Sequence, residues 1–270
     1  MDGITLIIGA GGKTGARVAQ RLAQNGPLRL VSRSTPVPFD WDDPRSWAPA
    51  LRGVTRAYVT FQPDLAVDGA DDAIAELARL GREAGLDQMV LLSGRGEPGA
   101  QRAEQALIQS GLGWNVVRAS WFAQNFSEGV FADGIRAGLL ALPAGAVPEP
   151  FIDAGDIADV ATATLTNPML RKRIFEVTGP RALTFAEAVD IIGRATGRPA
   201  AYRQITPEAF AHSLAPYLPP EMIALLTQLF TEVLDGRNIA PADGVRQALG
   251  RAPRDFTDFA AQAAARGAWG

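Results

Sequence analysis

The stretch Ile4-Thr5-Leu6-Ile7-Ile8-Gly9-Ala10-Gly11-Gly12-Lys13-Thr14-Gly15 decides the fold. Its first half is almost continuously apolar, which predicts a strand buried on both faces, and the glycines that follow predict a tight turn. A helical pattern then begins at Ala16. A strand, a glycine turn and a helix N-terminus in this order predict a cradle for phosphate, because the first amides and the dipole of a helix attract anions.

The spacing of the glycines identifies the kind of cradle. A P-loop ending in Gly12-Lys13-Thr14 would need glycine at position 7, which is isoleucine. Gly9, Gly12 and Gly15 instead form a G-x-x-G-x-x-G pattern, the short-chain dehydrogenase variant of the Rossmann loop. We therefore predict that Gly9, Gly12, Lys13, Thr14 and Gly15 bind a dinucleotide.

Short apolar runs alternate with helical patterns through the first half of the chain, which indicates βαβ units and a parallel sheet. The strands are predicted at residues 4–8, 28–32, 56–61, 88–93 and 114–118. From residue 181 the pattern becomes helical with proline-rich breaks, and a capping box at Thr184-Phe185-Ala186-Glu187 begins a helix that Gly197 ends. We predict an α/β protein with a Rossmann-type doubly wound sheet in residues 1–180 and a smaller, mainly helical portion that caps the substrate in residues 181–270.

The end of the second predicted strand favours one dinucleotide. A carboxylate about 20 residues beyond the loop would select NAD through the ribose 2′-hydroxyl. The strand ends instead in Ser32-Arg33-Ser34, whose guanidinium and hydroxyls suit a 2′-phosphate. These three residues predict NADP, although an arginine at a strand end is also an ordinary solvated residue.

The usual proton donor of short-chain dehydrogenases is a Tyr-x-x-x-Lys pair, and this chain has none. Tyr58, Tyr202 and Tyr217 are not followed by lysine at that spacing. Ser93, at the end of the fourth predicted strand, and Arg95 and Glu97 beyond it are the candidate catalytic residues, and Ser93 is also a candidate for cofactor binding. The alternative is a plain solvated turn.

Several stretches together resemble the NmrA-like family of atypical short-chain dehydrogenases/reductases. They are the Gly9 loop, Asp153-Ala154-Gly155-Asp156-Ile157-Ala158-Asp159-Val160-Ala161, and Phe175-Glu176-Val177-Thr178-Gly179-Pro180. The stretches 39–43, 93–97 and 117–126 resemble bacterial relatives of the ergot-alkaloid festuclavine and agroclavine dehydrogenases. The resemblance implies a second set of cofactor-binding residues: Asp40 and Trp41 at the adenine, Phe61, Gln62 and Pro63 along the dinucleotide, and Ala119, Phe122 and Asn125 beside the nicotinamide.

Composition excludes several classes of function. The chain has 270 residues, no cysteine, the single histidine His212 and a formal charge of −3. Thiolate chemistry and Cys or His metal clusters are therefore excluded, no metal site is expected, and no basic surface for nucleic acid is predicted. We expect a cytoplasmic protein without membrane contact that acts on a small molecule, and the apolar stripe of residues 222–233 could cover a homodimer interface.

Two functions remain. The first is an NADPH-dependent oxidoreductase that transfers hydride to a small conjugated or cationic acceptor, of iminium or quinone type, because such acceptors need little acid assistance. The second is a non-catalytic NADP-binding redox sensor of the NmrA type, which a missing catalytic acid also favours.

Overall fold

The computed structural model describes residues 3–270. Its strands, in chain order, are β1 (Ile4–Ile8), β2 (Leu28–Val31), β3 (Val54–Val59), β4 (Gln88–Gly94), β5 (Gly113–Ala119), β6 (Leu139–Leu142), β7 (Arg173–Val177) and β8 (Ala201–Gln204). The helices are α1 (Gly15–Leu22), α2 (Trp47–Leu51), α3 (Ala70–Glu83), α4 (Pro98–Ile108), α5 (Val130–Arg136), α6 (Ala154–Thr166), α7 (Phe185–Thr196), α8 (Pro207–Leu214), α9 (Pro220–Glu232), α10 (Gly244–Leu249) and α11 (Phe256–Ala265). None of these helices has the length and apolarity needed to cross a membrane.

The chain divides into two compact units, and each is assembled from separate segments. The first unit contains residues 3–119, 154–177 and 243–252. The second contains residues 120–153, 178–242 and 253–270. The sequence predicted one division at residue 180. The structure differs because residues 120–153 pack into the apolar core of the second unit, while Asp243 forms a bridge with Val177 at the end of β7.

The first unit is built on a six-stranded sheet in the order β2-β1-β3-β4-β5-β7, with every neighbouring pair parallel. Alternate residues of β1, β3 and β4 pack with α2, α3 and α4 in one apolar cluster. On the other side, α6 contacts α1 and the strands β3, β4, β5 and β7. Helices on both faces explain why the strands are apolar at consecutive positions. The predicted Rossmann-type α/β fold is confirmed.

The strand order reverses between β1 and β3, because β2 lies on one side of β1 and β3 lies on the other. In open α/β sheets, ligands bind at the carboxyl ends of the strands beside such a switch point. The loops that begin at Gly9 and at Thr60 leave the sheet there.

The second unit contains a two-stranded parallel sheet of β6 and β8, which the sequence analysis did not predict. Both strands are four residues long, and three of the four residues of β8 are exposed, so neither carries a strong apolar signal. The core of this unit is rich in phenylalanine, with Phe126 in contact with Phe151, Phe185 and Phe256. The predicted capping box is confirmed: Thr184 and Glu187 bond each other's backbone at the start of α7, and Gly197 (φ 68°) ends the helix.

Candidate functional site

The glycine loop is closely packed on its inner side. Gly9 has a φ of +81°, and a Cβ atom there would lie 1.9 Å from Oγ1 of Thr60, whose hydroxyl donates to the Ile8 carbonyl oxygen. A Cβ on Gly15 would lie 2.2 Å from the Gly9 carbonyl oxygen. Gly9 is therefore required by its backbone conformation, and Gly15 is required because α1 approaches the loop so closely.

The outer side of the same loop is open. A Cβ on Gly11 would meet no atom within 4 Å, and a Cβ on Gly12 would meet only the Gly9 carbonyl oxygen at 3.3 Å. Lys13 is half-buried, and Thr14 is buried at the N-cap of α1. The open backbone at Gly11 and Gly12, next to a helix N-terminus, fits the pyrophosphate of a dinucleotide, which needs backbone amides and close approach.

The loop after β2 is an ordered turn that leaves its arginine exposed. Thr35 Oγ1 accepts a hydrogen bond from the Ser32 amide at 2.9 Å, and the Ser32 and Ser34 hydroxyls lie 3.2 Å apart. Arg33 is exposed, and no hydrogen bond or ion pair to another part of residues 3–270 holds its guanidinium. The turn therefore presents a cation and two hydroxyls side by side.

An aromatic cluster connects this turn to the loop after β3. Trp41 donates from Nε1 to the Thr60 carbonyl oxygen at 3.2 Å, and its ring lies 4.5 Å from Phe61 and 5.0 Å from Phe39. Asp40 accepts from the Asp42 amide and, through its carbonyl oxygen, from Trp47 Nε1. Trp41 and Phe61 remain half-buried, so they keep accessible apolar surface next to the switch point.

Gln62 and Pro63 follow Phe61 and are both exposed. The structure thus brings the predicted Asp40, Trp41 and Phe61 together at the edge of β1 and β3. Their contacts with adenine or with the rest of a dinucleotide stay predictions.

The carboxyl ends of β4, β5 and β7 carry a network of paired charges. Glu104, on α4, is fully buried and accepts from the Ser93 hydroxyl at 2.6 Å and from Arg118 Nε at 2.9 Å. Glu176 accepts from Arg95 Nε at 2.5 Å and from Arg118 at 3.5 Å. The paired carboxylate of Glu104 raises the pKa of Arg118. Two carboxylates and two guanidinium groups therefore hold one another in fixed positions.

The candidate catalytic residues all lie at this edge of the sheet. Ser93 and Arg95 belong to the network, and the Arg95 amide also donates to the Ala119 carbonyl oxygen at 2.9 Å. Glu97 is the N-cap residue of α4, and its carboxyl group lies against Gly94, where a Cβ would come within 2.2 Å of it. Their catalytic roles stay predictions.

Three members of this site were not predicted from the sequence: Glu104, Arg118 and Glu176. For Glu104 and Arg118 the sequence does contain a signal, which is a charged residue among apolar ones. Glu104 interrupts the apolar face that Ala100, Ala103 and Leu107 form on α4, and Arg118 is a charge in an apolar strand. A charge on a buried face requires a partner, so these positions could have been searched for ion pairs.

Phe122 and Asn125 belong to the second unit. Phe122 forms a bridge with Ile152 and its carbonyl oxygen accepts from the Asn125 amide at 3.0 Å. Both residues are half-buried, whereas Gln124 between them is buried and donates to Asp153 at 3.0 Å. Their predicted position beside a nicotinamide stays a prediction.

The second unit also has an open groove of about 690 Å³ along α8 and α9. Its lining is mostly apolar and consists of Ala211, Ala215, Leu218, Pro220, Ile223, Ala224, Thr227, Gln228 and Thr231. Phe210 on α8 and Phe230 on α9 do not line this groove, because both are buried in the phenylalanine-rich core.

Comparison with known proteins identifies the family. No family model matches the chain. The chain is 31% identical to the uncharacterized oxidoreductase YesF of Bacillus subtilis, over 96% of this chain and 95% of that one. It is 32% identical to the NAD(P)H azoreductase of Xenophilus azovorans, over 85% and 82% of the two chains. The festuclavine dehydrogenase of Aspergillus fumigatus is 27% identical over 97% and 98%.

Solved structures agree on the fold. The triphenylmethane reductase of Citrobacter, solved with NADP(H), superposes with a TM-score of 0.81 at 16% identity and covers 97% of this chain and 100% of its own. NmrA, a negative transcriptional regulator solved with NADP, gives a TM-score of 0.73 at 15% identity over 97% and 95%. Since the likeness to the sequence relatives extends over nearly the whole chain, this protein belongs to the same family of NAD(P)H-dependent oxidoreductases, and its fold is that of NmrA. The predicted NAD(P)H-dependent oxidoreductase, its NmrA-like fold and its likeness to the clavine dehydrogenases are confirmed.

Proposed function

We propose that this chain is an NADPH-dependent reductase that transfers hydride to a small conjugated or cationic acceptor of iminium or quinone type. The observation that carries the proposal is the paired network at the ends of β4, β5 and β7. Ser93 donates to Glu104, and Arg95 and Arg118 are paired with Glu176 and Glu104. Groups held in this way fix the local charge, and they favour an acceptor that needs little help from an acid.

The surroundings of the three tyrosines also support an acceptor that needs no tyrosine as proton donor. Tyr58 lies fully buried in β3, and burial raises the pKa of its phenol. Tyr202 donates to the Ala144 carbonyl oxygen at 2.5 Å, and burial raises its pKa to about 12. Tyr217 is 80% exposed on the segment between α8 and α9. An iminium carbon is already cationic and a quinone can be protonated by water, so neither acceptor requires a tyrosine acid.

The binding of the cofactor falls to the first unit. Gly9, Gly12 and Gly15 with the N-terminus of α1 would hold the pyrophosphate, and Trp41 and Phe61 would flank the adenosine. Ser32, Arg33 and Ser34 would bind the 2′-phosphate, which makes NADP the preferred dinucleotide. When bound, NADPH supplies the hydride.

Ser93, Arg95 and Glu97 have supporting roles in this proposal. Because Ser93 donates its proton to Glu104, its oxygen presents lone pairs and accepts hydrogen bonds from a ligand. Arg95 and Glu97 set the electrostatic potential at the end of β4. The relative named an NAD(P)H azoreductase supports an acceptor with a conjugated double bond, as an azo compound has, and the relative named a festuclavine dehydrogenase supports redox chemistry on a small molecule.

The test is anaerobic oxidation of NADPH by the purified protein, followed by absorbance, with NADH in parallel. The acceptor panel contains quinones, cyclic iminium ions, azo compounds and simple ketones. We expect turnover of at least one iminium, quinone or azo compound, with NADPH preferred and ketones inert. Tight binding of NADPH without oxidation by any acceptor would contradict the reductase and favour the redox sensor.

A further inference from the structure

Three buried side-chain hydroxyls have no hydrogen-bond partner among residues 3–270: those of Tyr58, Ser120 and Thr162. Leaving a buried hydroxyl unpaired is costly, so such groups point to a partner that the chain itself does not supply. Tyr58 lies within β3 and Thr162 lies in the middle of α6. Ser120 differs from both because it directly follows the last residue of β5, where ligands bind in sheets of this kind.

We infer that the Ser120 hydroxyl is the hydrogen-bond donor to the acceptor oxygen that gains negative charge during reduction, an inference that rests on the proposed reductase function. Ser120 is 3% exposed, so a hydrogen bond to it is little weakened by competing water. Ser120 differs from Ser93 in its hydrogen bonding. The Ser93 hydroxyl donates a hydrogen bond to Glu104 at 2.6 Å, whereas the Ser120 hydroxyl has no acceptor within residues 3–270.

The chemistry determines which acceptors would use this donor. When hydride from NADPH reduces a quinone, the electron pair gives the hydroquinone monoanion, and a proton from water completes the hydroquinone. Ser120 donates a hydrogen bond to the oxygen that gains negative charge and keeps its own proton. When hydride adds to the central carbon of a cationic triarylmethane dye, the product is neutral and no oxyanion forms. Ser120 therefore assists neutral oxygen acceptors and leaves cationic carbon acceptors unaffected.

The experiment compares Ser120→Ala with the intact protein on two acceptors, menadione and a cationic triarylmethane dye. We expect kcat with menadione to fall about tenfold or more, in keeping with the loss of one donor to a developing oxyanion. The kcat with the dye should stay within about twofold, because no oxyanion forms there. Equal losses with both acceptors, or no loss with menadione, would overturn the inference.

The Tm of the cofactor-free protein and of Ser120→Ala tests the inference independently of turnover. If the partner of Ser120 is a ligand, Ser120→Ala removes an unpaired hydroxyl, and Tm should not fall. A clear fall in Tm would instead indicate that Ser120 bonds a structural water, and the inference would be wrong. Thr162→Val is the matched control, because it removes another buried unpartnered hydroxyl and should show no dependence on the acceptor. Thr162 lies near the other end of the sheet, since Thr164 accepts a hydrogen bond from Gln88 at the amino end of β4.

A binding measurement separates this inference from the proposed function. Menadione is titrated into the NADP⁺-loaded protein and followed by tryptophan fluorescence. If no acceptor is reduced but Ser120→Ala still weakens menadione binding about fivefold, the reductase proposal fails and the donor role stands. If no acceptor is reduced and the variant binds menadione as tightly as the intact protein does, or if the intact protein does not bind menadione, the donor role fails.

Discussion

The Ser93 hydroxyl on β4 donates a hydrogen bond to the carboxylate of Glu104 on α4, and Glu104 is fully buried. Arg118 neutralises the same carboxyl group from β5. The hydroxyl of Ser93, at the end of a central strand, therefore already donates a hydrogen bond within the protein when no ligand is bound. This arrangement makes Glu104 the residue on which the local charge balance depends.

Glu104→Gln is expected to destabilise the protein strongly. It leaves the half-buried charge of Arg118 with only the longer ion pair to Glu176, and removal of one charge of a buried pair costs about 3–5 kcal/mol. Urea unfolding of the intact protein and the variant measures this loss. The control is Glu76→Gln, which removes an exposed ion pair with Arg79 on α3 and should change stability by well under 1 kcal/mol. If the two substitutions lowered the free energy of unfolding equally, the buried network would contribute no more to stability than an exposed ion pair, and the prediction would be wrong.

Gly12→Ala is expected to weaken dinucleotide binding while leaving the fold nearly intact. The new methyl group meets only the Gly9 carbonyl oxygen at 3.3 Å, but it stands on the open side of the loop that a pyrophosphate must approach. We expect the Kd for NADPH, measured by calorimetry, to rise at least about tenfold, or about 1.4 kcal/mol. Gly145→Ala, in the second unit, is the control, because a Cβ there makes only ordinary contacts of 3.5 Å or more with Gln204 and lies outside the glycine loop. Similar losses at the two positions would place the pyrophosphate elsewhere.

Arg33→Ala is expected to lower the affinity for NADPH much more than that for NADH. A hydrogen bond to a charged group contributes roughly 1.5–3 kcal/mol, so the loss for NADPH should be about tenfold or more. The readout is the ratio of the two dissociation constants, and Arg52→Ala, at another exposed arginine of the first unit, serves as the control. An unchanged ratio would remove Arg33 from the 2′-phosphate site.

Asp255→Asn is expected to reduce stability at neutral pH and to lose this effect in acid. Asp255 caps α11 and is paired with Arg181 at 2.7 Å, and the hydrogen bond from Arg181 holds the pKa of Asp255 well below its usual range. A carboxyl group with a lowered folded-state pKa contributes stability that is present above its unfolded pKa, near 3.9, and lost as the pH falls further. Asparagine keeps the N-cap, so the variant removes mainly the ion pair.

The measurement is Tm of the intact protein and of Asp255→Asn between pH 2 and pH 7. The intact protein should be the more stable of the two at pH 7, and the gap should narrow below about pH 4. A gap that stays constant over this range would show that the substitution acts through something other than the charge of Asp255.

Local signals were sufficient for much of the fold. The glycine loop, the consecutive apolar strands and the Thr184 capping box each need only a short window, because the backbone conformation depends on neighbouring residues. The parallel pairing of β6 and β8 joins residues such as Leu139 and Ala201, which are 62 positions apart, and the Glu176 contacts join β7 to β5 and to the residue after β4. Such pairings are decided by tertiary packing and leave no periodic trace in the sequence.

The assembly of the first unit from separate segments has a consequence for the order in which the protein can be made. On the ribosome, residues 120–153 and 178–242 must emerge before α10 can add to β7 through the bridge of Val177 and Asp243 and the close approach of Gly244 to the Glu176 backbone. The nascent Rossmann-type unit therefore stays incomplete until translation has passed residue 252. A fragment cut at residue 180 would lack α10 and leave that side of β7 uncovered during synthesis.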